Sequence, residues 1–244
     1  MLHLAIKEFR SFFQSSTGAL ILSIYLGFNG VILWLLDGPF NLLDSGYAQL
    51  DGMFMLSPWL FLLLIPGIGM KMVAEERRSG TLEWLLTKPL TEWDIVLGKW
   101  LAGIGLILLA LLPTLLYVIT LHQMGNPIGN IDLGSTAGSY LGLMLLGASY
   151  LSISLFVSSL TDNAIVALVL SSMICLLMYT GFDQIADMMS VNSPGLFWRQ
   201  LGISEHYSSI SRGVIDSGDI IYFLSLCGCF LAASVTALQR RNWS

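Results

Sequence analysis

Charge is what this sequence has least of: Asp, Glu, Lys and Arg together make up 11% of its 244 residues, while 55% are hydrophobic. A soluble domain carries about 25% charged residues, so an ordinary soluble fold is excluded and a bilayer is the natural solvent. Clustered Lys and Arg are lacking too. With a net charge of −5 and a pI near 5.0, the chain has no basic surface for a phosphate backbone, which excludes nucleic acid as a partner. Cysteine is confined to Cys175, Cys227 and Cys229, an odd number, each inside an apolar stretch. They read as core fillers, not as a disulfide framework or a metal site. A P-loop is absent: Gly98-Lys99 is followed by Trp100, and Trp93 stands where the first glycine of G-x-x-x-x-G-K-[ST] would fall. No cleavable signal peptide is expected, because Lys7, Glu8 and Arg10 precede an apolar run too long for a signal h-region, with no small-residue cleavage site after it.

What the chain has in abundance is long apolar runs. In hydrocarbon every backbone N–H and C=O must be satisfied internally, so such runs imply helices, whereas barrel strands would alternate over short segments. Six charge-free stretches approach or exceed the length needed to span a bilayer: 17–36, 53–70, 100–121, 138–160, 164–182 and 220–238. The expectation is an all-α polytopic membrane protein, a single transmembrane domain over 1–244 with six crossings and both termini on one side. Lys7, Arg10, Lys71, Arg77, Arg78, Lys88, Lys99, Arg240 and Arg241 fall on the terminal side, and only Arg199 and Arg212 on the other. The excess of cations places both termini in the cytoplasm. The outer loops are acidic, with Asp37, Asp44, Asp51, Asp132, Asp183, Asp187, Glu205, Asp216 and Asp219.

Before the first span, Leu2, Ile6, Phe9 and Phe13 recur at helical spacing, with His3, Lys7, Arg10 and Gln14 on the neighbouring face. This pattern fits a helix lying in the membrane interface; a simple continuation of the first span is the alternative. Pro58 and Pro66 in the second span and Pro113 in the third each remove an intrahelical hydrogen bond and are expected to bend their helices. Asn29 and the Gly138-Ser-Tyr-Leu-Gly142 run suit helix packing, by hydrogen bonding and by close backbone approach. The fourth and fifth spans are joined only around Thr161-Asp162-Asn163 and form a tight hairpin.

Between spans two and three lies the most informative segment, Glu75-Glu76-Arg77-Arg78-Ser79-Gly80-Thr81-Leu82-Glu83-Trp84-Leu85-Leu86-Thr87-Lys88-Pro89. Gly80 is placed to end the extension of span two, Thr81 to Thr87 to form two helical turns with Leu82, Leu85 and Leu86 on one side, and Pro89 to stop them. Thr91 and Asp94 form a capping arrangement for the helix leading into span three. A short amphipathic helix held off the bilayer by two long ones suits docking in a partner's groove, or else it is a surface helix with no partner.

The pattern E-x-x-x-G-T-x-E-x-L-L-T-x-P, carried by Glu76, Gly80, Thr81, Glu83, Leu85, Leu86, Thr87 and Pro89 and followed by Gly98-Lys99, resembles the coupling-helix region of ABC-2 type permeases. Phe40–Gly46, Pro113–Val118, Gly125–Asp132 with Gly134-Ser135, and Ser209–Asp216 are similar to the GldF family of gliding-motility permease subunits of Bacteroidetes. That resemblance implies a permease of the bacterial inner membrane, homodimeric or pseudo-dimeric, with an N-terminal elbow helix. It also implies a coupling helix touching an ATPase subunit of the GldA type, and a GldG-type membrane partner with a large outer domain. No cofactor is expected on this chain; ATP and Mg belong to the ATPase. The family usually folds the segment before the last span as an outer re-entrant pair of helices, here 183–219. Ser193-Pro194-Gly195 is the expected turn between them, and Trp198 and Arg199 the expected interfacial anchors.

Two other readings stay open. An intramembrane enzyme would draw acid–base or metal groups from Glu75, Glu76, His122, Glu205 and His206. Against it, no H-E-x-x-H occurs, and position 80 is Gly where intramembrane proteases of the CAAX type use Arg, so no catalytic or metal residue is assigned. A subunit that transmits ATP-driven motion for assembly or mechanical work, without transporting a solute, would use the same coupling segment.

Overall fold

The computed structural model describes residues 1–44, 46–81, 90–189 and 193–241, and the side chains of all of these except 16, 17, 193, 194 and 241. Among them all regular structure is helical. Helix α1 is Leu2–Gln14 and α2 is Ser16–Trp34. Helix α3 runs Asp51–Arg78, with a π-helical turn over Lys71–Glu75. Helix α4 is Glu92–Met124, tightened to 3-10 over Leu112–Thr114, and α5 is Leu133–Leu160. Helix α6 is Ala164–Met188, with a second π turn at Leu177–Gly181. Two short helices, α7 (Ser193–Leu201) and α8 (Ile203–Ile210), precede α9 (Ser217–Arg241).

Helices α3, α4, α5, α6 and α9 are each long and apolar enough to cross a bilayer, and α1 with α2, bent by 73° from one another, make up a sixth candidate crossing. Each apolar stretch read from the sequence falls in one of these helices, except that the first, 17–36, runs two residues past the end of α2. The bend occurs at Ser15, whose hydroxyl donates to the Phe12 carbonyl (2.8 Å) and accepts from the Gly18 amide (3.3 Å), so it ends one helix and caps the next. Helix α1 has two apolar sides. Leu4, Ala5 and Phe12 are buried against the protein, and Leu2, Ile6 and Phe13, three of the residues that carry the expected interfacial stripe, are exposed.

Helix α5 is the centre of the bundle: 78% of its apolar window is buried, against 28% in α9 and 17% in α6, which form the rim. Its composition explains this position. Gly138, Gly142 and Gly147 let neighbouring helices approach closely. Ser149 and Ser152 return their hydroxyls to their own helix, at the Leu145 carbonyl (3.0 Å) and the Ala148 carbonyl (2.8 Å), so they add little bulk and are not left bare in hydrocarbon. Phe61, Ile65 and Ile68 of α3 and Leu106 and Ile107 of α4 close on Leu143, Leu146 and Leu151 of α5 as the core.

The prolines act unequally. Helix α3 passes through Pro58 and Pro66 as a single element, while Pro113 sits in the 3-10 turn of α4, where the Thr114 hydroxyl takes up the Leu111 carbonyl (2.7 Å). Asn29 is fully buried, but its Nδ2 donates to the Tyr25 carbonyl four residues back (3.0 Å), so this hydrogen bond stays inside α2 instead of joining two helices. Gly138 meets the expectation of close approach: a Cβ there would lie 3.1 Å from Gly213 Cα, and one at Gly142 2.8 Å from Ile210 Cγ2. The segment between α6 and α9 differs from expectation in one respect. The break between its two short helices is at Gly202, while Ser193-Pro194-Gly195 opens α7. The physical reason is that proline in the first turn of a helix removes an N–H that has no intrahelical acceptor anyway.

Candidate coupling site at the basic end

At the end of the bundle where α3 and α9 finish and α4 begins, Lys99 is fully buried. Its Nζ lies 2.6 Å from Glu76 Oε2 and 3.6 Å from Glu8 Oε1, with side-chain exposures of 1% for the lysine, 17% for Glu76 and 11% for Glu8. Three elements therefore meet on one ammonium group: α1 through Glu8, the extension of α3 through Glu76, and the base of α4 through Lys99. Lys7 adds a second cation 3.6 Å from Glu8 on the solvent side. A buried ammonium needs compensating charge, and two carboxylates from different helices supply it.

The π turn positions Glu76. Gly69 lets α3 close on Ser154 of α5, and the wide turn that follows frees backbone groups that Ser158 takes up: its hydroxyl accepts from the Ala74 amide at 2.8 Å. Arg77 then reaches the other way. Its Nη1 donates to the Ser159 carbonyl (2.9 Å) at the C-terminus of α5, where a cation also suits the helix dipole, and its Nε pairs with Asp162 in the α5–α6 turn. A cleft of about 230 Å³ separates α1 from this extension, lined by Glu8, Ser11, Phe12, Lys71 and Glu75 among others. Lys71 spans it to the Ser15 hydroxyl at 3.4 Å.

Beyond Arg78 the chain leaves the helix. Gly80 has φ +73°, a left-handed conformation that favours glycine, and the Ser79 and Thr81 hydroxyls both turn back to the Glu76 carbonyl (3.1 and 3.3 Å). On the return, Thr91 and Asp94 form a full capping box: the Asp94 amide donates to the Thr91 hydroxyl and the Thr91 amide to the Asp94 carboxylate, each at 3.2 Å. The segment 82–89 is thus entered and left through two defined helix ends.

The profile of the family described as ABC-2 family transporter protein matches residues 3–214. The chain belongs to the ABC-2 transporter family. A relative from Escherichia coli K12, named probable multidrug ABC transporter permease YbhR, is 29% identical over 144 residues, covering 58% of this chain and 37% of the relative. The same protein from Escherichia coli O157:H7 matches equally. The aligned stretch is thus little more than a third of the length of these relatives. Their names are those of permeases, the membrane components of ABC transporters, as distinct from the ATPases.

Within this ABC-2 chain, Glu75, Arg78, Gly80 and Thr81 are exposed, while Glu76 and Arg77 are drawn into the bundle. Leu82, Glu83, Leu85, Leu86 and Pro89 lie outside the described residues. At the opposite end, Pro194 belongs to α7, Trp198 stacks on Phe182 of α6 (centroids 6.1 Å apart), and Arg199 pairs with Asp187 (2.6 Å). These last two tie α7 to α6. The α7–α8 pair is seated further by the Tyr207 hydroxyl on the Phe54 carbonyl (2.6 Å) and by His206 between Asp219 (2.6 Å) and the Gln200 carbonyl (2.9 Å). Among the described residues no group of His, Cys, Asp and Glu is arranged to hold a metal.

The sequence reading missed Lys99 and Glu8 as site residues. The signal was present, since Lys99 shares a stripe of α4 with Ile95, Ala102 and Leu106, all buried. A lysine on the inward stripe of a helix must find an anion there.

Proposed function

We propose that the chain is the permease subunit of an ATP-driven transporter of a bacterial inner membrane, and that its segment 75–89 receives motion from a separate ATPase subunit. The basic end faces the cytoplasm, on the excess of Lys and Arg there, and α1 is the elbow helix. The observation that carries this reading is the Glu8–Lys99–Glu76 cluster. It fastens the base of the exposed segment to α1 and α4, while Arg77 fastens it to α5 and the α5–α6 turn. A push on residues 82–89 therefore reaches α1, α4, α5 and the α5–α6 turn through two adjacent side chains, which suits a coupling device. The stretches similar to gliding-motility permeases support partners of the GldA and GldG types, and the relative's name supports transport of a small solute. ATP and Mg act in the ATPase subunit.

Gly80 provides the test. Proline is locked near φ −65° and cannot adopt the +73° found there, so Gly80→Pro redirects the segment while leaving every span intact. In a complex reconstituted with its ATPase, Gly80→Pro and Glu83→Lys are expected to insert normally but to lose at least tenfold in ATP-dependent function. Wild-type coupling in both variants would remove segment 75–89 from the mechanism.

A further inference from the structure

A second feature of the basic end lies on the far side of Arg77 from the coupling cluster. There α5 and α9 leave an open cleft of about 550 Å³, walled by Phe156, Leu160, Ala233 and Ala237, with Arg77 and Arg240 also lining it. Ala233, Ala237 and Arg240 occupy one stripe of α9. The seven residue steps from Ala233 to Arg240 correspond to about 10 Å of helix, so the cleft rises from the charged end of the helix into its apolar part. Small side chains make the groove: Ala233 and Ala237 on α9 face Ser159 on α5, and Phe156 packs on Phe230 above them (centroids 5.8 Å apart).

The two cations are held differently. Arg77 is fixed at the back by the Ser159 carbonyl and by Asp162, whose carboxylate offsets its charge. Arg240 is exposed and makes no side-chain hydrogen bond or ion pair among the described residues. The net attraction for an anion therefore comes from Arg240, with the Arg77 guanidinium as a rigid wall beside it. A free phosphate would use the arginines and leave the apolar groove empty, whereas a phospholipid uses both.

We propose that this cleft binds one anionic glycerophospholipid from the leaflet at the basic end, with its phosphate at Arg240 beside Arg77 and one acyl chain lying along Ala237, Ala233 and Phe156. The site takes only Arg77, as a fixed wall, from segment 75–89 and depends neither on the ATPase nor on residues 82–89, so its failure and the failure of the coupling reading are separable. The test is native mass spectrometry of the purified full chain in mild detergent, titrated with phosphatidylglycerol. Arg240→Ala is expected to weaken retention of the lipid about fivefold, the effect of one cation near the surface. Ala237→Leu, which fills the groove without changing charge, should weaken it by at least as much, and inorganic phosphate at about a thousandfold excess should not displace the lipid. Thermal midpoints of both variants, read in parallel, confirm that they are folded. Unchanged retention in either folded variant, or displacement by inorganic phosphate, would overturn the proposal.

Discussion

Lys99→Met is expected to lower the stability of the protein by about 3–5 kcal/mol, the range for removing one partner of a buried ion pair. The lysine side chain is 1% exposed, and its removal strands Glu8 and Glu76, at 11% and 17%, in a pocket without their shared cation. Lys7 pairs directly with Glu8 from the solvent side and is the weakest of the charges acting on Glu76. The two carboxylates then separate, and α1 moves away from α4. Neutralising all three groups should restore much of the loss, because a buried ion pair replaced by groups of similar volume is often close to neutral. Lys99→Met, Glu8→Gln/Glu76→Gln and the triple variant therefore form a cycle, read by thermal unfolding in detergent. A Lys99→Met single variant as stable as wild type would mean that the three helices are not held by this contact.

Gly213→Val is the second large effect, at the opposite end. Gly213 has φ +81° and lies against Ser135 and Gly138 at the start of α5. A left-handed backbone costs an L-residue about 1–2 kcal/mol, and forcing a side chain into a packed contact about 1–3 kcal/mol more. The neighbouring bonds from Ser139 to the Ser211 carbonyl (2.7 Å) and from Ser135 to the Arg212 carbonyl (3.1 Å) depend on the same approach. The expected result is faster amide exchange over residues 203–216 together with a loss of about 2–5 kcal/mol. Gly218→Ala serves as control, since a Cβ there meets nothing closer than Asp216 Oδ1 at 3.7 Å and the backbone is not left-handed. Equal exchange in the two variants would show that the α7–α8 pair is not seated on α5 through Gly213.

These two sites also mark how much of the molecule was legible in its sequence. The crossings were, because hydrocarbon forces each apolar run into a helix that satisfies its own backbone. So were Gly80 and the Thr91–Asp94 cap, where the residue type states the local conformation. Pairings between distant segments were harder. Leu4, Ala5 and Phe12 hold α1 to the bundle, yet the stripe that stood out was Leu2, Ile6, Phe9 and Phe13, which includes its exposed side. Helical spacing reveals apolar faces without saying which one meets protein and which meets lipid. Lys99 was overlooked because it sits at the edge of an apolar run, where a lysine ordinarily reaches water. Its burial is fixed by Glu8 and Glu76, 91 and 23 residues away in the chain. The break at Gly202 was masked by Ser193-Pro194-Gly195, since the residues that make a turn also begin a helix.

The central claim is that segment 75–89 docks on a separate ATPase, and purification of the tagged chain in mild detergent tests it most directly. Co-purifying proteins would be identified, and ATPase activity measured, for wild type and for Leu82→Asp and Leu86→Asp. The account predicts that a P-loop ATPase co-purifies with wild type and is lost, with its activity, from both variants. A chain that purifies alone, or an ATPase retained equally by both variants, would contradict it.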